Sequence, residues 1–182
     1  ETARGVFADG QKMLNTLVAE KWLSARAAWG LFPANSDVDD IIVYTDQTRQ
    51  TVLNVLHGLR QQHERPSGKP HYALADFIAP ATSGVPDYIG AFAVTAGMGV
   101  DERVAQFEAE HDDYHAILLK ALADRLAEAA AEWLHAKVRR QDWGYAQDEA
   151  LDNAALIAEK YQGIRPAPGY PACPDHTLKA KI

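Results

Sequence analysis

Residues 101–143 carry a helical period for about forty positions. Val104, Phe107, His111, His115, Leu118, Leu122, Leu126, Ala129, Trp133 and Leu134 recur mostly at steps of three and four, which places them on one stripe of an α-helix. Few globular helices run that far, so a break or bend is predicted inside the stretch. An element of this size dominates whatever domain holds it. The remaining chain must then supply a sheet or further helices to cover its apolar stripe.

What precedes it supplies both. Residues 2–23 place Val6, Met13, Leu14, Leu17, Val18 and Trp22 at helical spacing. Residues 27–35 read as a short strand ending in a turn at Pro33, and residues 39–46 as a strand between acidic turn residues. Residues 52–62 begin as a strand or a short helix; the period does not decide. Residues 65–70 are a loop by composition. Residues 72–80 read as a strand closed by Pro80. Residues 87–97 are almost continuously apolar and small, the pattern of a buried central strand. A last helix is predicted from about Asp152 to Tyr161. Strands followed by helices, without strict alternation, indicate an α+β domain.

Hydrophobic residues make up 47% of the chain and charged ones 24%, enough for a substantial core. The formal charge of −7 argues against nucleic-acid binding, and the short basic cluster Lys137, Arg139, Arg140 reads as a solvated helix end. No apolar run is long enough to span a membrane. A lone cysteine suits a reducing compartment, the cytoplasm. The polar start and the abrupt end at KAKI are expected of a piece of a longer protein.

Near the C-terminus stands RPAPGYPACPDHTLK, residues 165–179, with prolines at 166, 168, 171 and 174 and the only cysteine. Each proline fixes its own φ and biases the residue before it towards extended geometry. Arg165, Ala167, Tyr170 and Cys173 therefore lose little freedom on binding. Gly169 allows another molecule to approach the main chain. The Arg165 guanidinium suits a carboxylate, and Tyr170 offers an aromatic wall. The stretch fits a cradle for a small zwitterion. It also fits an exposed linker, or, through PGYP and PACP, a P-x-x-P peptide ligand for an aromatic groove.

Other constellations are weaker. HDDYH, residues 111–115, spaces two histidines as metal ligands on one helix face can be, but both fall on the apolar stripe and read as core or interface histidines. Cys173 and His176 could pair as nucleophile and base, although extended backbone carries such side chains apart. No G-x-S-x-G, P-loop or dinucleotide fingerprint is present. No catalytic residue and no metal ligand is assigned.

The proline stretch, together with GLFPAN, LRQQ, YALADFIAP, DYIGAFAVT, FEAEHDDY, KALADRLAEA, WGYA and YQGIRPAPGYPACP in order, resembles the activation domain of cobalamin-dependent methionine synthase. The resemblance covers essentially residues 1–182. It implies an α+β fold with a bent antiparallel sheet and flanking long helices. It also implies a domain that binds S-adenosylmethionine and supports reductive methylation of cob(II)alamin to methylcobalamin, as part of a methyltransferase. Cobalamin would be bound mainly by another domain of the same polypeptide, zinc only in a domain absent here, and the electron donor would be flavodoxin or an equivalent.

By motif, Arg165 matches the family's arginine for the S-adenosylmethionine carboxylate. Ala167 (through its backbone) and Tyr170 match positions lining the same site, with Gly169 between them as the point of close approach, and Glu128 and Glu159 match acidic residues near the ligand. At ~100° per residue, Glu128 projects away from the apolar stripe, on a face shared with Asp124. Asp124 and Arg125 match a pair that docks on the cobalamin-binding domain; a third acidic position of that contact is Val100 here, beside Asp101. His176 matches a histidine presented near the corrin. The family domain also begins earlier, with an acidic ligand-site residue, and continues further, with an aromatic one. A partial domain with weak or no isolated affinity for the ligand is therefore expected.

Overall fold

The computed structural model describes residues 2–66 and 68–182; Ser67, within the loop expected at residues 65–70, lies outside them. The described elements are α1 (Thr2–Glu20), β1 (Ser24–Asp37), β2 (Asp40–Tyr44), β3 (Val52–Leu56), β4 (Asp87–Met98), α2 (Val100–Ala109), α3 (Asp113–Lys137) and α4 (Asn153–Ile157). The strands form one sheet in the order β3-β2-β1-β4, with β1 antiparallel to β2 and β2 antiparallel to β3. The α+β class expected from the sequence is the one found. The chain divides into two compact units, Glu1–Ala28 with Phe92–Asp142, and Trp29–Ala91 with Trp143–Ile182.

The first unit is built on the long helical stretch, which breaks as predicted. α2 stops at Ala109, the Asp112 N–H donates to the Phe107 carbonyl (2.8 Å), and His111 takes a left-handed φ of 58°. Asp112 then caps α3 by accepting the His115 N–H (3.1 Å). Met13 and Leu17 of α1, Val104 of α2, and Ala116 and Leu119 of α3 make the core. The deepest face of α3 is Ala116, Leu119, Ala123, Ala131 and Leu134. This lies about one residue round from the stripe read in the sequence, and Trp133, placed on that stripe, is 64% exposed. Alanines at 116, 123 and 131 let neighbouring elements approach closely, which a pattern of large apolar residues does not reveal.

The second unit holds Ala34, Ile41, Val43, Leu56, Ala75, Ile78, Cys173 and Leu178 in its core. β1 does not end at Pro33. Its pairing with β2 starts at Ala34, so the missing N–H of Pro33 interrupts no bond to that strand. Residues 52–62 form β3 and then irregular chain. The Arg60 guanidinium is drawn to Asp39 and Asp76 there, so no helix follows. Residues 72–80 are not a strand. Asp76 accepts the Ala73 N–H (2.9 Å), closing a 3₁₀ turn at Leu74–Phe77. The carbonyls of Ile78 and Ala79 are then taken by Ser36 Oγ and Asn35 Nδ2 rather than by a ladder. β4 is an end strand of the described sheet, not a central one, and Ala96 is its single buried residue. The last helix is shorter than expected, because α4 ends at Ile157.

Candidate functional site

The proline stretch is neither a free tail nor a linear peptide. Residues 167–170 form a turn in which the Tyr170 N–H donates to the Ala167 carbonyl (3.0 Å), with Pro168 and Gly169 (φ 108°) at its corners. Residues 170–173 form a second turn, in which the Cys173 N–H donates to the Tyr170 carbonyl (2.9 Å). The Gly169 N–H donates to the Cys173 carbonyl (2.8 Å) and ties the two together. The N–H groups of Gly169 and Tyr170 are thus satisfied by the loop itself. A P-x-x-P ligand must be extended, whereas PGYP and PACP are both bent and the single cysteine, in PACP, is buried. The peptide-ligand reading therefore fails.

Three anchors hold the double turn to the second unit. Cys173 is 5% exposed, its side chain in the core; burial, with the Asp175 charge adding to it, pushes the thiol's pKa up. A buried thiol of raised pKa packs rather than attacks, which removes the nucleophile reading. Leu178 is buried in the same core, on the 3₁₀ segment His176–Ala180. Lys181 Nζ donates to the Val55 carbonyl (2.9 Å). Asp175 caps the 3₁₀ segment by accepting from Thr177 N (2.8 Å) and Thr177 Oγ1 (2.8 Å), which holds its carboxyl below the usual range.

On this frame Arg165 is half-buried at the start of the stretch, Ala167 is exposed, and the Tyr170 ring is 55% exposed. A guanidinium, an exposed backbone position and an aromatic face on one anchored loop fit an amino acid with an attached aromatic group. Gly169 serves differently from the expectation: the group that approaches its Cα is the His176 ring of the same chain. Glu159 is exposed in the same unit, with a left-handed φ of 51°. The Lys160 N–H bonds the Ala155 carbonyl (3.0 Å) there, so Glu159 occupies the position beyond α4 usually filled by glycine.

The structure thus gathers Glu159, Arg165, Ala167, Gly169, Tyr170 and His176 in one unit. Asp124, Arg125 and Glu128 belong to the other, all three exposed on α3 with Ile117, so the face inferred for Glu128 is indeed solvent-facing. An apolar cavity of about 400 Å³ also lies in that unit, between α1, α3 and the start of β1. None of the residues matched by motif lines it. Among the described residues no cluster of three potential metal ligands occurs. His111 and His115 do not share a helix face, because the break separates them. His115 Nδ1 instead meets Asp112 Oδ2 at 2.6 Å and its ring stacks on Phe107.

Sequence reasoning missed two features. Tyr145, in WGYA, donates its hydroxyl to the Gln162 carbonyl (3.2 Å) and packs edge-on to Trp143, bracing the chain just before Arg165. Arg139 is fully buried, with Nη1 2.6 Å from His135 Nδ1 across a π-helical turn, and is no solvated helix end. No local signal marks the second; an aromatic pair beside a glycine could have flagged the first.

Residues 1–182 match the family described as vitamin B12 dependent methionine synthase, activation domain. A crystal structure of the MetH reactivation domain bound to AdoHcy is similar to this chain, with a TM-score of 0.89 and 59% identity over 99% of the chain. The chain spans about half of that one, 55%. No helix among the described residues is long and apolar enough to cross a membrane. With its fold, its anchored proline loop and its full-length family match taken together, the chain belongs to the activation domains of vitamin B12-dependent methionine synthase.

Proposed function

We propose that this domain binds S-adenosylmethionine at the loop of residues 165–170 and serves the reductive reactivation of methionine synthase. The observation that carries the reading is the anchored double turn, which sets a half-buried Arg165 beside an exposed Ala167 edge and an exposed Tyr170 ring. The AdoHcy in the similar crystal structure is the demethylated form of that ligand and supports it. Bound there, S-adenosylmethionine supplies a methyl group to a reduced corrinoid cobalt.

This chain's own share is positioning. Arg165 holds the carboxylate through a charge-assisted fork. The Ala167 backbone fixes the polar edge and Tyr170 covers an aromatic face. Glu159 places negative charge towards the ligand's ammonium and sulfonium. Asp124 and Arg125 would form the docking pair for the cobalamin-binding domain, and His176 would lie near the corrin. The electron comes from flavodoxin or an equivalent donor in the cytoplasm.

The test is Arg165→Ala in the intact methionine synthase polypeptide. Loss of a charged hydrogen-bonded pair is worth about 1.5–3 kcal/mol, or roughly tenfold to a hundredfold in affinity. Calorimetric titration with AdoHcy should show that loss. Reactivation should fail while primary turnover persists. Equal loss of both activities, or unchanged AdoHcy affinity, overturns the reading.

A further inference from the structure

Within the 167–170 turn one residue is a weak point. Pro168 has a fixed φ, and Tyr170 and Cys173 are tied by hydrogen bonds. Gly169 is tied too, through its N–H to the Cys173 carbonyl (2.8 Å), but without a Cβ its backbone keeps the widest range in the turn, and motion there would swing Ala167 relative to Tyr170. Its observed φ of 108° is one of several that a free glycine can adopt.

The structure shows what removes that freedom. A Cβ built on Gly169 would lie 2.6 Å from His176 Nε2 and 3.2 Å from His176 Nδ1, with Cε1 nearer still. The volume that a side chain at 169 would occupy is therefore filled by an imidazole from seven residues further on. The backbone that carries the ring is fixed. Asp175 caps its segment through Thr177, and Leu178, two residues beyond it, is locked in the core. The remainder of His176 is exposed.

We propose that His176 is a positioning residue for the ligand loop. Its ring is a wedge against the Gly169 main chain that holds the turn in the one conformation presenting Arg165, Ala167 and Tyr170 together. This rests on the binding site proposed above and adds a role exerted through Gly169, with no need for His176 to touch the ligand. It also gives the glycine a second reason: besides a φ of 108°, which a side chain would strain, position 169 is small to admit His176.

The experiment is AdoHcy calorimetry on the intact polypeptide carrying His176→Ala, His176→Phe, Gly169→Ala, the Gly169→Ala/His176→Ala pair, or Arg165→Ala, with thermal unfolding as a control. His176→Ala returns backbone freedom to one residue of the loop, so it should weaken binding about tenfold with an unchanged melting temperature. His176→Phe should restore affinity, since a flat ring refills the space. The Gly169→Ala and His176→Ala losses should be less than additive, because the second relieves the clash created by the first. Wild-type affinity in His176→Ala, failure of His176→Phe to rescue, or strict additivity overturns the wedge. If Arg165→Ala loses binding while His176→Ala keeps it, only the wedge falls. No binding to the unmodified protein overturns both the wedge and the site.

Discussion

Cys173 offers a sharp test of how the proline loop is held. Its thiol lies among Ala34, Ile41, Val43, Leu56, Ala75, Ile78 and Leu178, while its N–H closes the 170–173 turn and its carbonyl accepts the Gly169 N–H that ties the two turns together. Cys173→Ser preserves shape and backbone but puts a hydroxyl into that apolar cluster, which costs about 1–3 kcal/mol if it finds no partner. Cys173→Ala removes one heavy atom, a loss near that of a methylene, about 0.8 kcal/mol, plus a small cavity contribution. The closer mimic in shape should therefore be the more destabilising. Urea unfolding followed by tryptophan fluorescence measures this as a larger drop in midpoint for serine than for alanine, at unchanged slope. Because burial pushes the thiol's pKa up, the thiolate population at neutral pH is depressed. A disulfide probe should thus label the native protein slowly, and faster as urea opens the unit. Native labelling at the rate of a free peptide thiol, or a serine variant more stable than the alanine one, would refute the anchor.

Two further outcomes follow from the geometry. The Asp76 carboxyl is held below its ordinary pKa mainly by the Arg60 guanidinium, with the Ala73 N–H helping. Its stabilising contribution is then complete above the unfolded value, about 4, and is lost as pH falls through the lower, folded value. Asp76→Asn should lower the urea midpoint at pH 7 and converge on the wild type as the pH drops below 4; a gap of constant size across that range would contradict the pairing. His111 carries a left-handed φ in the break between α2 and α3, so His111→Gly should gain about 1 kcal/mol, or roughly 2–4 °C in melting temperature. A clear loss in differential scanning calorimetry would show that the imidazole itself holds the break.

The helical period of residues 101–143 was legible because periodicity is local, and so was the need for a break in it. The identity of the loop was legible too, through the ordered set of family motifs and the proline spacing. Three strand assignments went astray for one shared reason. Pro33 looked like a terminator because a ladder's end cannot be seen in sequence. Residues 72–80 looked like a strand because Asn35, Ser36 and Arg60, which take their polar groups, come from distant parts of the chain. β4 looked central because apolar content does not tell which strand sits at a sheet's end.

By itself the sequence determined the α+β class, the family, and which short segment carries the guanidinium, the aromatic ring and the stiff backbone, since prolines and helical periods act on their immediate neighbours. Only the tertiary structure decided that the prolines make two closed turns rather than a rod, that Cys173 is a core anchor rather than a reagent, that Arg139 is buried rather than solvated, and that Gly169 makes room for His176. Each of these depends on burial or on contacts between residues whose closeness in space no local pattern encodes, and burial is a property of the folded surface as a whole.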